Sequence, residues 1–310
     1  MTLRKNQLRM FYIKYFIKNV VLAVKFLCRG DWRRVYNGVY ARIYNQAFYL
    51  FFIFKAPRLR ARLRPVPAAK LEVMTDHPVA FASPDHIVPH GTKYNNSTNR
   101  KFVLFMNDYV RSRFSGEYPC FMDLGCSGGQ LVKDFKDLRW IAVGLEGSDY
   151  SLKHQRANWR TLANQNLFTC DIAKPFRVRS NGKDLQFNLI TAWEVMEHIK
   201  LEDLGVLFDN IRAHLAEGGL FIASTSSSTS IVDGVELHQT RMTNAEWRRF
   251  IQEHYADLEP VDPGLKIYQY VRYDFGEPSI LVYQKISIKQ AVENGRVTSA
   301  RTVEARRASA

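Results

Sequence analysis

Short apolar runs recur along the middle of the chain at intervals that leave room for one helix between neighbours, the pattern of strands alternating with helices. Residues 120–124 form one such run, and from Gln130 to Phe135 apolar positions return at helical spacing. The intervening Asp123-Leu124-Gly125-Cys126-Ser127-Gly128-Gly129 therefore reads as a strand-to-helix turn. A second strand is predicted over 140–145, ending at Glu146, and a third over 167–172, containing Asp171 and Ile172. A fourth over 187–192 leads into Trp193-Glu194-Val195-Met196-Glu197-His198-Ile199. A helix over 202–216, a turn at Gly218-Gly219 and a strand over 220–224 follow. The order β-α-β-α-β-β-α-β predicts an α/β fold, a mostly parallel sheet with helices on both faces. Two further runs, 268–273 and 279–285, read as strands joined around Gly276-Glu277-Pro278.

Outside this block the pattern changes. Residues 1–56 are rich in apolar and aromatic stretches, among them Phe11-Tyr12-Ile13, Tyr15-Phe16-Ile17, Phe26-Leu27 and 48–54. On a helix Lys14, Lys18, Lys25 and Arg29, spaced by four, seven and four, form one narrow cationic stripe. Such an appendage suits the interface of an anionic membrane, with residues 10–54 as the contact; packing as a cap on the rest of the protein is the alternative. It is not expected to span, because lysines interrupt the first run and 47–54 falls well short of the roughly 20 residues a spanning helix needs. A signal peptide is disfavoured too, since no small-residue cleavage site directly follows the apolar stretch. Residues 57–76, with Pro57, Pro65, Pro67 and Arg58, Arg60, Arg62 and Arg64, read as an extended linker. Residues 77–98 are dense in hydrogen-bonding side chains and lack an apolar period; they read as an ordered lid over a ligand, or as a solvated connection. The α/β domain is expected over 99–286, and 287–310 as a polar, basic, disordered tail.

Charge sharpens this division. Of 44 basic and 30 acidic residues, the first 70 positions hold 16 Lys or Arg against the single acid Asp31, a net of +15, which leaves −1 for residues 71–310. An enzyme of nucleic acids tends to concentrate basic residues at its active-site mouth, so here nucleic acid is the less favoured partner. Cys28, Cys120, Cys126 and Cys170 show no paired or metal-like spacing. A reduced, cytoplasmic protein, peripheral at the inner face of the membrane, is the simplest expectation.

The turn after the first strand carries the candidate chemistry. Gly125 and Gly129 let the backbone approach a ligand, and Asp123, two residues ahead of the first glycine, suits a cationic one rather than the pyrophosphate of a G-x-G-x-x-G turn. An acid at the end of the second strand, Glu146, can accept hydrogen bonds from vicinal ribose hydroxyls. The segment from Asp123 to Gly129 resembles the first motif of class I S-adenosylmethionine-dependent methyltransferases, acid-x-G-x-G-x-G, with Ser127 in the middle glycine slot. The resemblance implies a Rossmann-like sheet with an antiparallel last strand and S-adenosylmethionine as cofactor. Its implied contacts are Asp123, Gly125, Cys126, Ser127, Gly129, Glu146, Gly147, Asp171, Ile172 and Trp193, with Asp171 matching the acid that meets the adenine amino group.

Glu194, Glu197 and His198 follow the fourth strand, where the acceptor meets the methyl group. Transfer to a hydroxyl needs a positioned nucleophile and a base, and His198, with an ordinary pKa near neutrality, is the candidate base. Glu194, Glu197, His198 and His238 also resemble the E-x-x-E-H…H set with which small-RNA 2′-O-methyltransferases hold a divalent metal. The acid-P-P-aromatic tetrapeptide of amino-methylating DNA enzymes is absent, Thr191-Ala192-Trp193-Glu194 standing in its place. From His77 onward, about two thirds of the chain, the sequence is similar to bacterial methyltransferases of surface-glycan and secondary-metabolite pathways, which implies O-methylation of a glycan, a lipid-linked sugar or a small metabolite. The alternatives are a metal-dependent RNA 2′-O-methyltransferase and a non-catalytic adaptor that binds S-adenosylmethionine.

Overall fold

The apolar runs pair in one seven-stranded sheet. The computed structural model describes residues 55–67, 69–114, 118–264 and 277–295, together with Val24, Phe52 and Tyr273–Asp274. The strands are β1 (Cys120–Leu124), β2 (Ile141–Glu146), β3 (Leu167–Thr169), β4 (Phe187–Trp193), β5 (Leu215–Ser224), β6 (Leu258–Pro260) and β7 (Ile280–Lys285). They lie in the order β3-β2-β1-β4-β5-β7-β6. The first five run parallel, while β7 is antiparallel to β5, and β6 to β7. Every residue of β1 and all but the last of β4 are buried, which is why these strands read as continuous apolar runs instead of alternating: both faces are covered.

Helices α1 (Arg100–Arg113) and α2 (Gln130–Asp137) cover one face, where Phe121 of β1 meets Phe135 at 4.1 Å and Phe135 meets Trp140 at 4.8 Å. Met122 and Leu124, Ile190 and Phe221 pack on the other face with Leu207, Phe208 and Ile211 of α3 (Leu204–His214) and Trp247 of α4 (Asn244–His254). Burying each such side chain contributes about 1.5–3 kcal/mol, so the sheet is a rigid platform for whatever its strand ends carry. Local signals fix where the helices start. Asn99 Oδ1 accepts from Phe102 N at 3.0 Å to open α1, and Thr243 with Glu246 forms a capping box at α4.

Several expectations need correction. The extended linker expected over 57–76 is interrupted: residues 55–62 are helical, and only 63–67 and 69–70 lack regular structure before the next strand. Leu71–Met74 is a strand, antiparallel to Arg177–Ser180, which also pairs with Lys183–Asp184 in a separate small sheet. The lid over 77–98 contains two short helices, Pro84–Ile87, started by an Ser83 cap with proline behind it, and His90–Tyr94. Of the hairpin expected from 268–273 and 279–285, Tyr273–Asp274 pairs antiparallel with Glu277–Pro278 across the expected turn, while 268–272 lie outside the described residues; Leu258–Pro260, not foreseen as a strand, pairs with Tyr283–Lys285 of β7. The tail begins with a helix, Ile288–Glu293, because Ser287 and Gln290 close a capping box; 296–310 lie outside the described residues. The predicted helix over 202–216 is shorter at both ends, and strand β5 begins at Leu215, ahead of the expected Gly218-Gly219 turn.

The chain divides into two compact units, Met1–Arg62 and Leu63–Ala310, and the sheet belongs to the second. Apart from Val24 and Phe52, the proposed membrane contact over 10–54 lies outside the described residues, and among those described no helix is long and apolar enough to cross a membrane.

Candidate functional site

The turn after β1 is built by sterics. Gly125 and Gly129 have φ of +70° and +77°, and a Cβ on either would come within 2.5 Å of Val195 Cγ2 or Leu167 Cδ1. The Gly125 and Cys126 amides donate to Leu145 O at 2.8 and 3.0 Å, tying the turn to the end of β2. Ser127 takes a left-handed conformation, φ +46°, although it is not glycine. Its side chain accounts for its presence: Oγ donates to Asn95 O at 2.7 Å and accepts from Arg156 Nη2 at 3.0 Å, while Arg156 also donates to Asn95 O. The residue that breaks the glycine pattern is the latch that holds the lid to the turn.

A cavity of about 640 Å³ opens at the carboxyl ends of β1 to β5, on both sides of the point where the strand order reverses. Its size is that of a small-molecule or cofactor site. Of the residues expected to hold a cofactor, Gly125, Ser127, Glu146, Gly147, Asp171, Ile172 and Trp193 line it. Glu194 and His198 line it too, so the donor and acceptor candidates meet in one space. The lid contributes Ala80, Ala82, Ser83, Asp85, Thr92 and Asn95. Asp123, Cys126 and Gly129 are not part of the lining. Gly129 packs on Leu167, Cys126 packs against Gly144, and burial with the nearby Glu146 and Asp123 carboxylates drives the Cys126 thiol well above its ordinary pKa, so it is a filler and not a nucleophile.

Asp123 lies behind the turn, buried, with Oδ1 accepting from Thr191 Oγ1 at 2.6 Å. Burial raises its carboxyl to about 7; the Thr191 hydroxyl opposes the shift and the neighbouring Glu146 adds to it. Glu146 ends β2 as expected. Its Oε2 accepts from Ser127 N at 2.6 Å, and its Oε1 from Thr92 Oγ1 at 3.2 Å and Ser148 N at 3.4 Å. Burial raises the Glu146 pKa, while the Ser127 and Ser148 amides and Thr92 stabilise the carboxylate. Asp171, whose Oδ1 accepts from Ala173 N at 3.0 Å, stands at the next strand end.

Beyond β4 the chain turns sharply at Glu194, φ +55°, another non-glycine in the left-handed region at the cavity wall. His198 Nδ1 lies 2.7 Å from Asp85 Oδ2 of the lid. Burial alone would lower the His198 pKa, but the Asp85 carboxylate, with Glu197 and Glu194 behind it, outweighs burial and raises it. Glu197 is buried; Oε1 accepts from Ser226 N at 2.9 Å, Oε2 has no hydrogen-bond partner, and burial with the nearby Glu194 raises its pKa. Ligand atoms of Glu197, His198 and His238 all lie within 4.8 Å of one another, and the two imidazoles meet edge to face at 4.8 Å. The fourth proposed metal ligand, Glu194, is not one of these three; it accepts from Ser224 Oγ at 2.8 Å, and its charge is felt by Glu197 and His198.

Three residues that matter here were not singled out in the sequence: Asp85, Thr92 and Arg156. Asp85 and Thr92 sit in the aperiodic lid, where no pattern separates them from their polar neighbours, and nothing in the sequence around Arg156 marks it.

The family described as a methyltransferase domain matches residues 92–260, more than half of the chain. No curated protein matches. Among solved structures, an S-adenosylmethionine-dependent methyltransferase from Clostridium acetobutylicum is 14% identical, covers 66% of this chain and 96% of its own, and superposes with a TM-score of 0.43. An amino pentose methyltransferase of calicheamicin biosynthesis from Micromonospora echinaspora, solved with S-adenosylmethionine, is 15% identical over 64% of this chain and 95% of its own, TM-score 0.40. A 1,6-didemethyltoxoflavin-N1-methyltransferase from Burkholderia thailandensis is 14% identical over 66% and 84%, TM-score 0.45.

Proposed function

The chain belongs to the methyltransferase-domain family and is an S-adenosylmethionine-dependent methyltransferase; from that premise we propose that it methylates a hydroxyl oxygen of a glycan, a lipid-linked sugar or a small metabolite. The observation that carries this reading is one cavity lined both by the strand-end residues Gly125, Ser127, Glu146, Gly147 and Asp171 and by His198. The bound cofactor supplies a methyl group on a cationic sulfur. Glu146 and Asp171 would hold its ribose and adenine, the Gly125 to Ser127 backbone would approach its amino-acid part, and Asp123 would set negative charge behind the turn. His198, oriented by Asp85 at Nδ1, takes the hydroxyl proton on its other nitrogen as the acceptor oxygen attacks. The enzyme reading is favoured over a non-catalytic adaptor by family membership and by a base that faces the donor pocket.

The test is to incubate the full chain with methyl-labelled S-adenosylmethionine and separate lipid, glycan and RNA fractions of a bacterial extract. Label in the lipid or glycan fraction that is lost with His198→Ala supports the proposal, and label confined to RNA replaces it. A second reading, metal-assisted transfer to a ribose hydroxyl of RNA, is favoured by one feature: the unpartnered buried Oε2 of Glu197 beside His198 and His238. These three residues would hold a divalent cation, and chelator-insensitive activity removes this reading.

A further inference from the structure

The lid over the cavity leaves large apolar side chains exposed. Ala80, Ala82, Ser83, Asp85, Thr92 and Asn95 line the cavity, yet Phe81, Ile87 and Tyr94, interleaved with them, are 67, 62 and 67% exposed. Across the mouth, Leu201 follows the lining residue Lys200 and is 56% exposed. Ile231, 67% exposed, stands on the hairpin of Ile231–Val232 and Val235–Glu236. That hairpin leads into His238, which packs on the cavity-lining His198. Five of the eight large apolar side chains left exposed among the described residues thus stand on the segments that frame one opening. A water-soluble acceptor would touch the residues that line the cavity and gives no reason for large apolar side chains gathered around its mouth.

We propose that this rim docks the cavity mouth onto an anionic bilayer, its five apolar side chains entering the boundary between headgroups and acyl chains. Charge selects the bilayer over other occupants. Around the mouth Lys93, Lys174 and Lys200 are offset by Glu202, Asp203 and Asp233, and Asp85 faces His198, so the rim supplies insertion without net attraction. The attraction comes from the same chain's first 70 residues, net +15 and rich in aromatic and aliphatic side chains. Stable peripheral attachment takes two such signals, one apolar and one electrostatic. The docking surface goes beyond the proposed methyl transfer and does not depend on which hydroxyl is methylated.

The experiment is vesicle flotation of the full chain, with vesicles of phosphatidylglycerol and phosphatidylcholine in equal parts against phosphatidylcholine alone. It compares the wild type with the double variant Phe81→Ser/Ile231→Ser and with Phe81→Leu/Ile231→Leu. Calorimetry with S-adenosylmethionine on each protein checks that the site is intact, so loss of docking and loss of donor binding are read separately. The wild type floats with the anionic vesicles, the serine variant partitions about tenfold or more weakly with donor binding unchanged, and the leucine variant floats like the wild type. Equal flotation of wild type and serine variant overturns the proposal, as does a wild type that ignores anionic vesicles. A wild type that self-associates through the rim in sedimentation velocity, without binding vesicles, also overturns it.

Discussion

A single buried carboxyl ties the chemistry of the glycine turn to stability. Asp123 titrates near 7 in the folded protein against 3.8 as a free side chain, so the folded state prefers it protonated. The sign follows from linkage: its contribution is intact below about pH 4 and is lost as pH rises towards 7, a cost on the order of 4 kcal/mol at most. Asp123→Asn should therefore resist urea better than the wild type at pH 8, the two converging near pH 4, while binding S-adenosylmethionine at least about tenfold more weakly. A urea difference independent of pH would contradict this account of the residue. Asp85→Asn tests the lid's hold on His198. We expect turnover to fall about tenfold with donor affinity within about twofold of wild type, because the imidazole loses its orienting partner and the donor pocket does not change. Unchanged turnover would show that the 2.7 Å contact has no part in transfer. At this scale Gly125, Glu146 and Asp171 were legible, since each follows an apolar run that can only be a strand. Asp85 and Thr92 were not, because their roles depend on contacts with His198 and Glu146, 113 and 54 positions away.

Elements connect these residues to motion. Ser127 joins the turn after β1 to the lid through Asn95 and Arg156, and Thr98 Oγ1 donates to Asp134 Oδ2 of α2 at 2.8 Å, so the lid is tied at both places to the element it covers. Ser127→Gly relieves a left-handed serine but removes the latch. Hydrogen exchange over residues 91–97 should speed up several-fold in that variant while the β1 amides stay protected; equal protection of the lid in both proteins would rule out the latch. At the capping box of α4, Thr243→Ala should cost about 1 kcal/mol of stability by denaturant titration. The helices after β1 and before β5 were readable from apolar spacing. The lid helices and Leu71–Met74 were hidden by proline and by short length, and β6 was missed because three residues are too few to show a period.

For the whole molecule, the strand order β3-β2-β1-β4-β5-β7-β6 brings five strand ends to one cavity and leaves the antiparallel pair at the far edge. The parallel part was foreseeable from buried runs separated by helix-length intervals; the antiparallel β7 was implied only by the family resemblance. Charge and composition separated the basic first unit from the near-neutral second, and they say nothing of the acceptor, which is set by side chains around the mouth. The account stands on that cavity holding the methyl donor. Calorimetric titration of the full chain with S-adenosylmethionine, repeated with Glu146→Ala, tests it most directly. Saturable one-to-one binding in the wild type, weakened about tenfold or more in a variant that keeps its circular dichroism, is the predicted result; no binding by the wild type, or equal affinity in the two proteins, would contradict it.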